Sequence, residues 1–371
     1  MTILVFLIIL TILVLVHEAG HFLVARFFNI KVEEFGIGFP PRLWGKKIGE
    51  TLYSVNWLPI GGFVKLYGED EAGAGRLKVD KVLNFKNPRL RDLDRAFFAK
   101  PWWQRFLVGI AGVFMNFVLA VVIFSFIFAV VGVSVAGNKV IVTQVVKGSP
   151  SEMAGLRAGD TIQFINSLKI TSTAQLITET KKHLGEKLVL KVLTDGKQKS
   201  VEITPRIDYP KNQGPMGVAV SQNAEVKKYP WYEAPVVGVE EAIKMSWLIV
   251  VSLGTVVSQI VTQGVVPKDV AGPVGIAQLT GQVVQVGPLA VLSLISLLSL
   301  NLAILNILPI PALDGGRLFF ILIEGITRRK VHPKFESYVH AAGMVILLAL
   351  ILLVTLHDIT RLISGQSLLP K

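Results

Sequence analysis

Residues 2–21, TILVFLIILTILVLVHEAGH, carry no charge before Glu18 and then place two histidines and a glutamate within five positions. A run this apolar is a candidate membrane helix. His17-Glu18-Ala19-Gly20-His21 therefore lies at the end of a helix where burying ionisable groups demands a reason. Positions i and i+4 of a helix differ by about 40° around the axis and roughly 6 Å along it, so both imidazoles can reach one metal ion. Glu18, one position on, stands beside any open coordination position, where it can take a proton from water acidified by zinc.

Composition frames that reading. Half of the 371 residues are hydrophobic (51%), and the mean hydropathy is +0.56. Those values exclude an ordinary soluble enzyme and suit a multi-span protein with one small inserted domain. The net charge of +12 does not point to nucleic acid, because the basic residues are mixed with acids and gather beside hydrophobic segments, as the positive-inside rule and anionic lipid favour. With no cysteine in the chain, a metal must be held by histidine and carboxylate.

The first span is read as residues 1 to about 24. No basic segment precedes it and no small-residue cleavage site precedes the histidines, so a removable signal peptide is not expected. Fifteen Lys or Arg lie from Arg26 through Arg105, which puts that loop in the cytoplasm and the amino terminus outside. Within the loop, Thr51 to Leu66 reads as two β-rich runs around the Pro59-Ile60-Gly61-Gly62 turn, a hairpin apolar enough to dip into the bilayer if protein shields its backbone. The pattern alone leaves a surface hairpin equally open. Residues 69–100 read as a polar, irregular or partly helical segment, and Phe106 to Val133 as the second span, running outward.

HEAGH in the first span, Gly36-Ile37-Gly38, Leu58-Pro59-Ile60-Gly61-Gly62-Phe63-Val64-Lys65, a second span, a PDZ-like stretch and Leu313-Asp314-Gly315-Gly316 occur in the order of the bacterial site-2 protease family, which the chain resembles over nearly its whole length. The resemblance implies a membrane-reentrant β-loop over Leu52 to Leu66 that presents an edge strand to an unwound substrate helix, with Val55, Trp57, Gly61, Gly62 and Phe63 as substrate-binding positions. It also implies single-span membrane substrates such as anti-sigma factors or signal-peptide remnants.

Residues 134 to about 220 are less apolar. Val140 to Val142 and Leu188 to Leu193 are strand-like, Asp195-Gly196 marks a hairpin turn, and Thr173 to Leu184 has helical spacing. Gly148 to Asp160 resembles the turn and short helix of circularly permuted PDZ domains, and the interval holds one such domain. PDZ domains bind a carboxyl-terminal peptide by strand addition beside a nest of amides; Met216-Gly217-Val218 is the candidate loop, and a strand that merely closes the domain is the alternative.

Topology decides how to treat residues 243–263, which are apolar enough to span. If they crossed, the 289–308 segment would deliver Asp314 to the face opposite His17 and His21. If they lie along the membrane or only dip into it, 289–308 runs inward and Asp314 meets the histidines. Arg317, Arg328, Arg329, Lys330 and Lys334 make the next loop basic and hence cytoplasmic. In Asn306-Ile307-Leu308-Pro309-Ile310-Pro311-Ala312-Leu313-Asp314, two prolines two residues apart must unwind the backbone at membrane depth, which is tolerable only beside a protein-lined or hydrated cavity. Asp314 is the expected third zinc ligand, leaving a fourth position for water. Asn306 suits holding an extended peptide backbone. Asn116, mid-span, reads as a hydrogen-bonding polar residue, and His183, His332, His340 and His357 as interfacial or solvated side chains.

The expected fold is a multi-span α-helical membrane protein with four transmembrane helices, a membrane-reentrant β-loop and one inserted extracytoplasmic PDZ domain. Its parts are an amino-terminal membrane core (1–133), the PDZ-like domain (134–222), an interfacial segment (223–288) and a carboxyl-terminal core (289–371). The expected chemistry is that of an intramembrane zinc endopeptidase with His17, His21 and Asp314 on Zn2+ and Glu18 as base. It would sit in the bacterial cytoplasmic membrane with its active site toward the cytoplasm and act on membrane segments already trimmed by a site-1 protease. The rival is a non-catalytic membrane-anchored PDZ binding protein with a structural metal; a metal transporter would want more intramembrane ligands.

Overall fold

Helix α1 spans Thr2–Phe27, and its end is encoded locally. Asn29 takes φ +53°, while Ile30 N–H donates to Ala25 O and Asn29 N–H to Arg26 O. That pair of bonds is the Schellman stop, with asparagine in the left-handed position that glycine more often fills. The chain leaves directly into strand β1 (Val32–Ile48), which returns as β2 (Thr51–Leu66). The computed structural model that shows this describes residues 2–69, 93–210, 213–263, 270–329 and 331–363. Most of the 69–100 segment read from the sequence thus lies outside the described residues.

The β1–β2 sheet is not the simple hairpin expected around Pro59 to Gly62. Both runs of β2 pair with the same part of β1: Glu34 to Ile37 face Leu52 to Val55 on one side and Gly62 to Lys65 on the other. The outer half of β1 also pairs back, Lys47 with Leu52 and Trp44 with Val55. The result is a folded ribbon of four short runs in the order 42–48, 51–56, 34–37 and 62–65, so 62–65 is an open edge among the described residues. Bends at Pro40-Pro41 and at Pro59 make the crossings possible, because proline cannot continue a ladder. The 59–64 run climbs along α1. Thr11 Oγ1 donates to Pro59 O at 3.2 Å, Gly61 faces the Val14 side chain and Gly62 faces that of Leu15. The ribbon therefore lies beside the apolar part of the first helix, while Phe39, Trp44, Trp57 and Leu58 stay exposed.

Helix α2 (Trp102–Val130) packs on α1 through small residues: a side chain at Gly20 would strike the Ala111 carbonyl at 2.3 Å. Such close backbone approach is what glycine provides between apolar helices. A second compact unit, Val130–Tyr229, interrupts the helical one, Met1–Ala129 with Pro230–Lys371. This unit is a six-stranded sheet: β3 (Val133–Val145), β4 (Thr161–Ile165), β6 (Leu188–Thr194), β7 (Lys197–Ile203) and β8 (Val218–Lys227) in the order β7-β6-β4-β3-β8, with β5 (Leu168–Lys169) on β4. Its helices are α3 (Pro150–Met153), capped by Ser149, and α4 (Thr173–Lys182), capped by Ser172. Asp195 and Gly196, both at positive φ, close the β6–β7 hairpin as a tight turn of this kind requires. Val140, Val142, Ile162, Leu176, Leu190 and Val192 form its core.

After this unit come α5 (Ala234–Gln263), α6 (Pro273–Val286), α7 (Pro288–Ile307), α8 (Asp314–Thr327) and α9 (Pro333–Ile363). Among the described residues five helices, α1, α2, α5, α7 and α9, are long and apolar enough to cross a membrane by length and composition. The 243–263 segment is thus part of a longer helix that begins nine residues earlier. The chain is a multi-pass membrane protein.

Candidate metal centre

The site is assembled where α1, α2 and the start of α8 converge. Helix α7 stops at Ile307 and helix resumes only at Asp314, so Leu308 to Leu313 are unwound, as the two prolines require. The turn is so tight that a side chain at Gly315 would meet Leu308 O at 1.9 Å, and one at Gly316 would meet Ile310 O at 2.6 Å. Ala312 sits at φ +75°, an uncommon conformation for alanine. Its N–H donates to His340 Nδ1 at 3.0 Å. His340 thus buttresses the turn, where the sequence alone suggested a solvated or interfacial side chain. Asp314 does not cap its own helix: α8 has no side-chain cap, and the carboxylate is directed at the histidines instead.

Asp314 Oδ2 lies 2.7 Å from His17 Nε2 and 3.5 Å from His21 Nε2, and the two Nε2 atoms are 3.1 Å apart. Ligands at roughly 2.0–2.1 Å on a tetrahedral zinc are about 3.3 Å from one another. This triangle of donors fits a zinc ion on its open face. Both imidazoles are buried, and the three residues are the cluster of metal-ligating type among the described residues.

Each imidazole is oriented from behind. His21 Nδ1–H donates to Val108 O at 2.7 Å, which leaves Nε2 as the lone-pair atom facing the metal position. The His17 ring has Asn116 at its Nδ1, 3.3 Å from the amide nitrogen as placed, while Asn116 Oδ1 is buried without a partner. A ligating Nε2 requires a protonated Nδ1, and turning the amide over pairs that proton with Oδ1, removing both mismatches at once. Asn116 is fully buried, and its main-chain carbonyl accepts from Ser299 Oγ at 2.8 Å. Gly112 completes the seat: a Cβ there would lie 2.4 Å from His21 Nε2 and 2.7 Å from His17 Nε2. A polar Asn116 inside an apolar helix was the signal available in the sequence for this support, and Gly112 gave none.

Glu18 lines a cavity of about 210 Å³ together with His21, Phe63, Val64, Asp314 and Arg317, and its Oε2 accepts from Val64 N–H at 2.9 Å. Arg317 and Glu69 form an ion pair on the same wall. Two buried histidines with a partly exposed carboxylate, a second carboxylate beside them and an adjoining cavity are the equipment of metal-assisted hydrolysis. A family model described as peptidase family M50 matches residues 5–350. The chain belongs to this family. A Clostridium acetobutylicum relative is 33% identical over 348 residues, 94% of each chain. The Bacillus subtilis protein named regulator of sigma-W protease RasP is 30% identical over 424 residues, covering 97% of this chain and 99% of that one. The zinc metalloprotease RasP of Geobacillus kaustophilus is 30% identical over 420 residues, 96% and 97%. Among solved structures, the PDZ domain of an SdrC-like protein from Listeria monocytogenes is similar to 24% of this chain, at 22% identity and a TM-score of 0.21. The chain is accordingly a zinc metalloendopeptidase, one of the site-2 proteases of regulated intramembrane proteolysis.

The remaining candidate residues lie apart from the triad or beside it. Gly61, Gly62 and Phe63 sit on the β2 run that follows α1, and Phe63 reaches the cavity. Val55 and Trp57 are exposed, on the β2 run separated from that edge by β1. Asn306 is the penultimate residue of α7, partly exposed. In the sheet unit Met216 is core, Gly217 has φ +71° and Val218 opens β8; Met216 and Val218 line a cleft of about 450 Å³ between α4 and β8.

Proposed function

We propose that the chain cleaves single membrane-spanning segments within the bilayer, with His17, His21 and Asp314 holding zinc and Glu18 serving as base. The observation that carries this is the meeting of Asp314 with His17 across 297 positions of sequence at 2.7 Å. Zinc at this triad supplies Lewis acidity to a water and to the scissile carbonyl. Glu18 takes the proton from the attacking water and returns it to the leaving amine. Asn116 and the Val108 carbonyl hold the imidazoles in one tautomer, and the unwound 308–313 turn sets Asp314 where a continuous helix could not. Substitution of Glu18 by Gln tests the reading: zinc content should stay near one per chain while cleavage of a membrane reporter is lost. Retained cleavage would remove Glu18 from the mechanism.

The substrate proposed is a single-span protein already shortened on the outer side by a site-1 protease. The name of the Bacillus subtilis relative, a regulator of sigma-W, supports an anti-sigma factor as one class; signal-peptide remnants are the other. The β1–β2 ribbon is proposed as the reentrant element, with Gly61, Gly62, Phe63, Val55 and Trp57 contacting substrate and Asn306 holding its backbone. Its packing along residues 11–18 of the apolar α1 supports that placement.

Four spans, α1, α2, α7 and α9, are proposed, with the amino terminus and the 130–229 unit outside, in the bacterial cytoplasmic membrane. Parity supports this. Gly238, near the start of α5, packs on Val121 and Ser125 toward the far end of α2, while α6 touches Thr2 of α1 and Asp358 of α9. All of these are outer ends in the proposed topology, so α5 begins and the following chain resumes on one side, without a net crossing. A reporter fused at residue 275 should read extracytoplasmic. The cleft at Met216, Gly217 and Val218, beside the open strand β8, is proposed to take an exposed carboxyl terminus by strand addition, since β8 is an edge of its sheet.

A further inference from the structure

The free edge of the β1–β2 ribbon is not bare. Along 62–65 the antiparallel register with 34–37 is regular, so alternate residues turn their N–H groups toward β1 and away from it. Val64 N–H points away, because it donates to Glu18 Oε2 at 2.9 Å. Two residues on, Leu66 N–H points the same way and faces Glu69 Oε2 at 3.4 Å. By the same alternation Gly62 N–H belongs to this outward set. The amides that an incoming strand would pair with are thus met in succession by two of the protein's own carboxylates. Glu69 is further tied to Arg317, three residues beyond Asp314 on the same helix. Glu18, Val64, Leu66, Glu69, Asp314 and Arg317 all line the one cavity of about 210 Å³.

We propose that Glu18 and Glu69 stand in for substrate carbonyl groups, and that pairing of a substrate strand with the 62–66 edge displaces Glu18 from Val64 and so releases the base only when a peptide is in register. This rests on the proposed function, in which the edge receives substrate and Glu18 is the base. An unpaired edge inside a membrane protein has two costs: buried amides without acceptors and promiscuous pairing. Two carboxylates on consecutive outward amides answer both. They also place the competitor for the strand and the catalytic base in one side chain. A peptide carbonyl that takes the Val64 amide must evict Glu18, whose neighbours in the cavity are then His21 and the Asp314 carboxylate, at the metal position. A residue that only oriented Glu18 during catalysis would keep the Val64 bond in the bound state.

The test uses the zinc-loaded full chain in lipid nanodiscs and compares two probes, acetohydroxamate and a tetrapeptidyl hydroxamate, by the ratio of their dissociation constants. The ratio cancels whatever each shares at the metal. Removing the competitor with Glu18→Ala should tighten the peptidyl probe about tenfold relative to acetohydroxamate. In the Glu18→Ala chain, where no competitor is left, replacing Val64 by its α-hydroxy analogue, which swaps the N–H for an ester oxygen and keeps the side chain, should weaken the peptidyl probe about tenfold relative to acetohydroxamate. The same replacement at Phe63, whose N–H faces the ladder, serves as the control for strand damage. A ratio unmoved by Glu18→Ala, or moved equally by the esters at 63 and 64, overturns the proposal. Failure of acetohydroxamate itself to bind wild-type chain overturns the zinc reading on which it rests, and so separates the two failures.

Discussion

Gly112→Ala is the sharpest test of how the metal centre is built. The added methyl would stand 2.4 Å from His21 Nε2 and 2.7 Å from His17 Cε1 and Nε2. Ordinary non-bonded contact begins near 3.5 Å, so the imidazoles or the α2 backbone must give by about 1 Å. Neither is cheap. The rings are fixed from behind by Val108 O and Asn116, and α2 is locked to α1 through Gly20 against Ala111. Zinc sites tolerate about 0.2 Å in ligand distance, so a shift of about 1 Å is several times what the site can absorb. Zinc affinity should fall by about 100-fold or more, the upper range for disturbed outer-shell support, with a similar loss of proteolysis. Overpacking should add about 1–3 kcal/mol of destabilisation. Competition with a fluorescent zinc chelator, cleavage of a membrane reporter and thermal unfolding read the three effects. Gly254→Ala on α5, where an added methyl meets nothing within 4 Å, is the control and should leave zinc affinity and cleavage unchanged without lowering stability. A Gly112→Ala protein with wild-type zinc affinity and activity would refute the assembly of the site from α1, α2 and Asp314.

Asn116→Leu keeps the volume but removes the acceptor for His17 Nδ1–H; zinc affinity should fall about 10–100-fold, and an unchanged zinc dissociation constant would sink the tautomer argument. His340→Leu withdraws the acceptor of the Ala312 N–H, a cost of about 1–3 kcal/mol for a buried donor left alone; cleavage should drop further than zinc content, since the turn frays without removing a ligand. In the sheet unit, buried Asp160 accepts from Arg157 N–H and Thr194 Oγ1, so Asp160→Ala should lower unfolding stability by about 1–3 kcal/mol, measured on the full chain by protease resistance of this unit. Prolonged dialysis against a strong chelator should abolish cleavage, with recovery on zinc and none on magnesium, whose oxygen-seeking octahedral chemistry two imidazoles do not suit.

The two halves of the metal site were legible because each declares itself in one dimension. HEAGH obeys helical spacing, and Pro309-Ile310-Pro311 with Gly315-Gly316 announces a turn that no helix can contain. Their meeting was expected from the family resemblance and from the basic loop after Asp314, which the positive-inside rule puts on the same side as the 26–105 loop. The supports behind the ligands were harder to read. Asn116 showed as polar in an apolar helix, but nothing in the spacing says which imbalance it corrects; that depends on which nitrogen of His17 faces the metal. Gly112 and His340 carry no chemical label at all, because the information is a contact distance in one case and a strained Ala312 amide in the other.

The ribbon shows a different limit. Thr51 to Leu66 has two β-rich runs broken by Pro59 and Gly61-Gly62, and local rules pair such runs with each other. In the folded chain residues 34–37 slide between them, a non-local choice with no period of its own. The choice has a chemical consequence. Had the runs paired together, alternation would still leave half of the 62–65 amides outward, so what the observed pairing settles is which half: Val64 N–H faces Glu18 and not the ladder. Because residues 34–37 take the inner side, the outer side is left to α1, and the Val64 amide finds the one carboxylate of the first helix. Register in this small sheet therefore determines whether Glu18, the proposed base, touches the backbone of the element proposed to hold substrate. A one-residue slip of 62–65 against 34–37 would turn the Val64 amide into the ladder and part it from Glu18, while the residues proposed to hold the metal stayed in place.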